Sequence, residues 1–212
     1  MDSDSIKWCR RFLLLGLVTG LMSFQIGRWS VDLRPFSVIP TLAAFFFLVD
    51  FKGSRKFRLL YWNVIIIWLS LLTVTVASIF HVRQLYSVSS YFGKSAVATV
   101  PTSIILFALA MRTLATDHAL EKSIRRWTTT VRVTSTFFGP PALVLSLGFL
   151  AVYAGFIDRF WFFAPEPESF RQKVLLAMGT IAFVASPVLF IANALAVTAR
   201  EIEACRLTSG SS

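Results

Sequence analysis

Long apolar runs, each bracketed by short segments that hold the charge, restrict this chain more than any motif in it. Six such runs extend from Phe12 to Gly27, Leu33 to Phe51, Leu59 to Phe80, Ala96 to Leu114, Thr134 to Ile157 and Val174 to Ala199. A helix that crosses a bilayer needs roughly 17 to 25 mostly apolar residues, because each advances about 1.5 Å through a hydrocarbon layer about 30 Å thick. The first run is the shortest, and the second carries Arg34 and Pro35 at its entrance. With 56% apolar and only 15% charged residues, and a mean hydropathy of +0.69, the chain is too greasy for an ordinary soluble domain. The predicted fold class is all-α: a polytopic transmembrane helix bundle of six spans, with residues 1–212 forming a single integral membrane domain.

The formal net charge is +10. A nucleic-acid partner wants basic residues gathered on one soluble face, whereas these sit in small groups between apolar runs, so nucleic acid is not expected. The orientation follows from their placement, since cytoplasmic segments hold the excess of Lys and Arg. Lys7, Arg10, Arg11, Lys52, Arg55, Lys56, Arg58, Arg112, Lys122, Arg125, Arg126, Arg132, Arg200 and Arg206 fall on one side of a six-span map and only seven basic residues on the other. Both termini are therefore expected in the cytoplasm. The basic start before the first run reads as an uncleaved first span, because no A-x-A-like site follows. A compact chain with minimal tails suits a bacterial inner (plasma) membrane. The lipid bilayer is the expected partner, together with other membrane proteins.

Prolines punctuate the runs. "VIPTLAAFFF" (38–47) and "VPTSIILFAL" (100–109) each carry Pro-Thr at the head, which places Pro40 and Pro101 near helix N-termini, where a missing N–H costs little. An internal duplication is the alternative, but the echo ends after ten residues. Pro187, beside Ser186, lies in the middle of the sixth run, and Gly139, Pro140 and Pro141 interrupt the fifth. Released carbonyls there need hydroxyls, water or neighbouring helices. Gly16 and Gly20 form a GxxxG in the first run, extended at helical spacing by Ser23 and Gly27, a stripe suited to close helix packing.

No ionisable residue stands at mid-depth in any run, which disfavours coupling to ions through a buried carboxylate. Asn63 and Asn193 lie at similar depth from the cytoplasmic ends of the third and sixth runs and are expected to bond one another or, with Ser186 and Pro187, to contact a ligand. Between the fourth and fifth runs, Leu120, Ile124, Trp127 and Val131 form one apolar stripe with Lys122, Arg125 and Arg126 off it and Glu121 poised to pair with Arg125. That stripe either lies on an anionic leaflet or extends the fifth helix. Cys9 and Cys205 have no CxxC spacing, and no HExxH, GxSxG or GxxxxGK[ST] occurs, so no cofactor and no metal are expected. In "GKSA" (93–96), Ser95 resembles over four residues the serine of rhomboid-type intramembrane proteases, which implies a histidine in the sixth span; that span has none, and His81 stands on another helix. The expected function is a non-catalytic multi-pass membrane subunit or assembly partner. A small permease for a neutral or lipid-like solute is the alternative, and an intramembrane serine hydrolase a distant third.

Overall fold

A computed structural model describes residues 2–21, 23–26, 29–32, 37–79, 83–153 and 170–209. Six helices account for most of them: α1 (Ser3–Leu21), α2 (Val38–Phe46), α3 (Arg55–Ile79), α4 (Arg83–Asp117), α5 (Glu121–Tyr153) and α6 (Phe170–Ser209). A two-stranded antiparallel hairpin, β1 (Ser23–Ile26) with β2 (Trp29–Asp32), follows α1. Each helix packs against the next in sequence and α6 returns to α1, so the six close into a ring, with α4 also reaching across to α6. Among the described residues, two helical stretches are long and apolar enough to cross a membrane, Arg55–Thr73 and Val100–Asp117.

The core is a chain of aromatic rings. Phe45 of α2 packs on Trp68 of α3 and Phe107 of α4, with centroids 6.0 and 4.9 Å away, and Phe107 meets Trp127 of α5 edge-on at 6.2 Å. Edge and tilted arrangements suit the ring quadrupoles and add to the apolar burial. Three buried aromatic side chains each have their polar atom answered across a helix pair. Trp68 Nε1 donates to Ser103 Oγ at 3.0 Å, Trp127 Nε1 donates to Thr198 Oγ1 at 3.0 Å, and the Tyr61 hydroxyl donates to the Phe45 carbonyl. Such bonds fix the rotational setting of each pair, because an unanswered N–H in a dry interior costs about 1–3 kcal/mol.

Several expectations are corrected here. The second run does not form one long helix: α2 holds nine residues, about 14 Å of helical rise, and turns follow from Phe47. Pro40 does occupy the first turn of α2, whereas Pro101 lies deep inside α4, which starts at Arg83. Gly16 and Gly20 abut α2, where a Cβ on Gly16 would meet Thr41 Oγ1 at 2.3 Å and one on Gly20 would meet Ser37 Cβ at 3.4 Å. Their stripe ends there, because α1 stops at Leu21 and Ser23 belongs to β1. The alternation in "SFQIGRWSVD", with Gly-Arg between the halves, suits a hairpin better than a helix. Gly27 lies outside the described residues, as does His81.

Of the two readings of the stripe from Leu120 to Val131, the extension of the fifth helix is the one the structure shows, and the stripe is part of the core. α5 is one helix from Glu121, Trp127 is fully buried and Leu120 nearly so, with Ile124 and Val131 packed against them. Tyr61 is buried too, while Trp8 and Trp62 are exposed. Glu121 forms no ion pair with Arg125; among the described residues the pairs belong to Lys7, with Asp4 at 3.2 Å and Glu203 at 2.5 Å.

Candidate functional site

Apart from the indole and tyrosine bonds of the core, the described polar contacts between distant segments gather at one end of the ring. α3 starts there behind Ser54, whose N–H donates to Asp117 Oδ2 at 2.8 Å, so the carboxylate closing α4 sits at the open amides of α3. His118 donates through Nε2 to the Lys52 carbonyl at 3.1 Å. α5 starts there too, and Glu201 of α6 caps it from outside. Its carboxylate accepts from Lys122 N–H at 3.0 Å, Ser123 N–H at 2.8 Å and the Ser123 hydroxyl at 2.5 Å. The Lys7–Glu203 pair ties the start of α1 to the last part of α6.

The turn that joins α4 to α5 is tight. Leu120 N–H bonds the Ala115 carbonyl at 3.0 Å and Ala119 N–H bonds that of Thr116 at 3.1 Å, the bond pair of a Schellman motif. Ala119 takes the left-handed conformation the motif requires, φ 52°, at a place where glycine is usual. Because the turn is short, α4 and α5 run antiparallel in fixed register.

Electrostatics at this end follow from the contacts. Partial burial opposes ionisation of Glu201, but the Ser123 hydroxyl and the Lys122 and Ser123 amides outweigh it and hold its carboxyl below the ordinary value. The hydrogen bonds of Lys7 with Glu203 and Asp4 raise the lysine, and the same bond lowers Glu203. Burial pushes the Cys9 thiol up, away from thiolate chemistry. An open depression of about 490 Å³ lies at this end, lined by Asp2, Ser5, Asp50, Phe51, Lys52 and His118. Among the described residues no three metal-ligating side chains converge.

The residues singled out from sequence do not gather into one site. Asn63 is exposed and donates through Nδ2 to the Leu59 carbonyl of its own helix at 2.7 Å. Asn193 is exposed on α6. Ser186 is half-buried and Pro187 buried within α6, which continues through them. Gly16 and Gly20 serve the α1–α2 contact described above. Sequence reasoning missed Glu201, Asp117 and Ala119. The acid residues carried a usable signal, since each can reach the start of another helix once the ring is known, but the ring itself is not written in any local pattern.

No known protein family matches this chain, and neither a curated protein nor a solved structure is similar to it.

Proposed function

We propose that the chain is a non-catalytic integral membrane protein, a six-helix bundle that crosses the bilayer more than once and works as a membrane subunit or assembly partner. The observation that carries this is α3. Its inner face holds Phe57, Tyr61, Val64, Ile65 and Trp68 in the core, while Leu59, Trp62, Ile66, Leu69 and Val76 stand exposed on the outside. A helix apolar on both sides, with only one side covered by protein, suits a hydrocarbon surrounding. Leu15 and Val18 on α1 and Leu143, Val144 and Leu147 on α5 extend the exposed apolar surface.

Alternating passage is supported by how the short second helix lies. Ser37 is beside Gly20, Thr41 beside Gly16, and the Phe47 ring stacks on Trp8 at 6.2 Å and meets Phe12 at 5.4 Å. Residues 37–47 therefore run back along α1 towards its start. The basic residues counted towards the cytoplasm flank the polar end, which suits the inner face of a bacterial plasma membrane.

Extraction of membranes with alkaline carbonate tests the first part: the full chain stays in the pellet, and release into the supernatant would overturn it. A periplasm-dependent reporter fused to either end stays silent if the passes are even in number, and a signal from one end alone gives an odd number. Purification in mild detergent is expected to bring along a second membrane protein; a chain that always comes alone argues against the partner role. The carrier alternative gains nothing from the depression, which opens at the polar end rather than at Ser186 and Pro187.

A further inference from the structure

The outer face of α5 changes chemistry part-way along its length. Arg125, Thr129, Arg132 and Thr136 follow one another at spacings of four, three and four, and all four are exposed. Leu143 and Leu147 continue the same face and are 61% and 57% exposed. These spacings keep the side chains in line along a helix. Beside them, towards α6, the Arg126 guanidinium lies 5.8 Å from the Phe190 ring. Its Nε is buried and has no hydrogen-bond partner. None of the three arginines is among the described ion pairs.

Depth makes this arrangement unusual. α3 and α5 both begin at the polar end, held level by the Ser54–Asp117 bond and the short α4–α5 turn. Ile66 and Arg132 each stand eleven residues into their helices, about 16 Å from that end. At one distance, α3 turns isoleucine outward and α5 turns arginine outward. A cation there needs a counter-charge, and the chain supplies none among its described residues.

We propose that this face of α5, with its α6 flank, seats an anionic phospholipid. The phosphate lies on Arg125 and Arg132, Thr129 and Thr136 are small enough to let it approach, Arg126 closes the α6 side, and the acyl chains follow Leu143 and Leu147. The order along the helix, cations first and exposed leucines deeper, matches the head-to-tail order of a lipid whose head lies towards the polar end. The proposal rests on the membrane reading above.

The test uses the full-length protein in nanodiscs of phosphatidylcholine containing a minor share of phosphatidylglycerol. Lipid retained after transfer to mild detergent is measured by mass spectrometry. Phosphatidylglycerol is expected to be enriched on the wild type. Arg125→Gln with Arg132→Gln should cut that enrichment on the order of tenfold, whereas Arg55→Gln with Lys56→Gln, which removes the same charge beside α3, should leave it. The Lys versions of the α5 pair, less disturbing to folding, should keep most of it. Soluble glycerol phosphate should not displace the lipid; if it does, a free phosphate site replaces the proposed one. Equal losses from both glutamine pairs would reduce the effect to diffuse attraction and overturn the site. Unchanged phosphatidylglycerol with loss of an acidic protein from the α5 variant would replace the lipid with a protein partner. Carbonate extraction of each variant, run in parallel, separates these outcomes from failure of the membrane reading itself.

Discussion

α3 and α5 leave the same polar end of the ring and turn opposite chemistries outward. On α3 the exposed side chains become apolar at Leu59, one turn in, and apart from Asn63, Ser70 and Thr73 they stay so to Val76. On α5 the exposed face holds Arg125, Thr129, Arg132 and Thr136 before Phe137 opens an apolar stretch. The apolar outer surface thus starts about three turns deeper on α5 than on α3. Their inner faces, by contrast, are built alike, each with a buried indole bonded to a hydroxyl of the next helix. What surrounds the protein is therefore recorded on its outer faces alone, and it is not the same on both sides.

The largest expected effect comes from exchanging the outer faces. Ile66→Arg places a charge where α3 is apolar, and should lower membrane insertion by about 2.5–3.5 kcal/mol, read as yield in the membrane fraction. Arg132→Leu, at the same level on α5, should change folding stability by less than about 0.5 kcal/mol. Equal effects would erase the difference between the two faces. The inner faces should respond alike: Trp68→Phe and Trp127→Phe each remove one indole bond, costing about 1 kcal/mol as a shift in thermal midpoint in detergent. A large inequality would show that the two pairings are not equivalent.

Glu201→Gln tests whether α5 is held level with α3 by its cap. The charged cap is worth about 1 kcal/mol at neutral pH. Since the folded carboxyl titrates below its ordinary value, that contribution is complete above the unfolded value and disappears as pH falls through the lowered folded one. Thermal midpoints of wild type and variant should therefore differ at pH 7 and converge in acid; a constant gap would remove the charge from the explanation. The smallest effect is expected from Ala119→Gly, which relieves the left-handed backbone of the turn and should raise stability by up to about 1 kcal/mol. Destabilisation would mean that the methyl group packs more usefully than the conformation suggests.

Much of the helical framework was legible because long apolar runs with basic ends admit few arrangements. Pro40 was placed correctly because a first-turn proline is a local matter. The misplacements share one cause: a periodic pattern shows that a helix has an apolar side without saying what covers it. Of the two readings of the stripe from Leu120 to Val131, the extension of the fifth helix agrees with α5 and the membrane-surface face does not, while Asn63 and Asn193, expected to bond one another or a ligand, are both exposed. Ser23 was read on a helix because it continues the small-residue spacing of Gly16 and Gly20, a pattern that does not show where the helix stops. Glu201 was invisible as a cap because its target lies 78 residues away in sequence.

The closure of α6 on α1 has a consequence for how the molecule is made. Lys7 and Glu203 lie 196 residues apart in sequence, so their contact waits until the last part of α6 has been made. Until then α1 has α2 along one flank and nothing along the other. Its uncovered flank is what distinguishes an unfinished copy from a mature one.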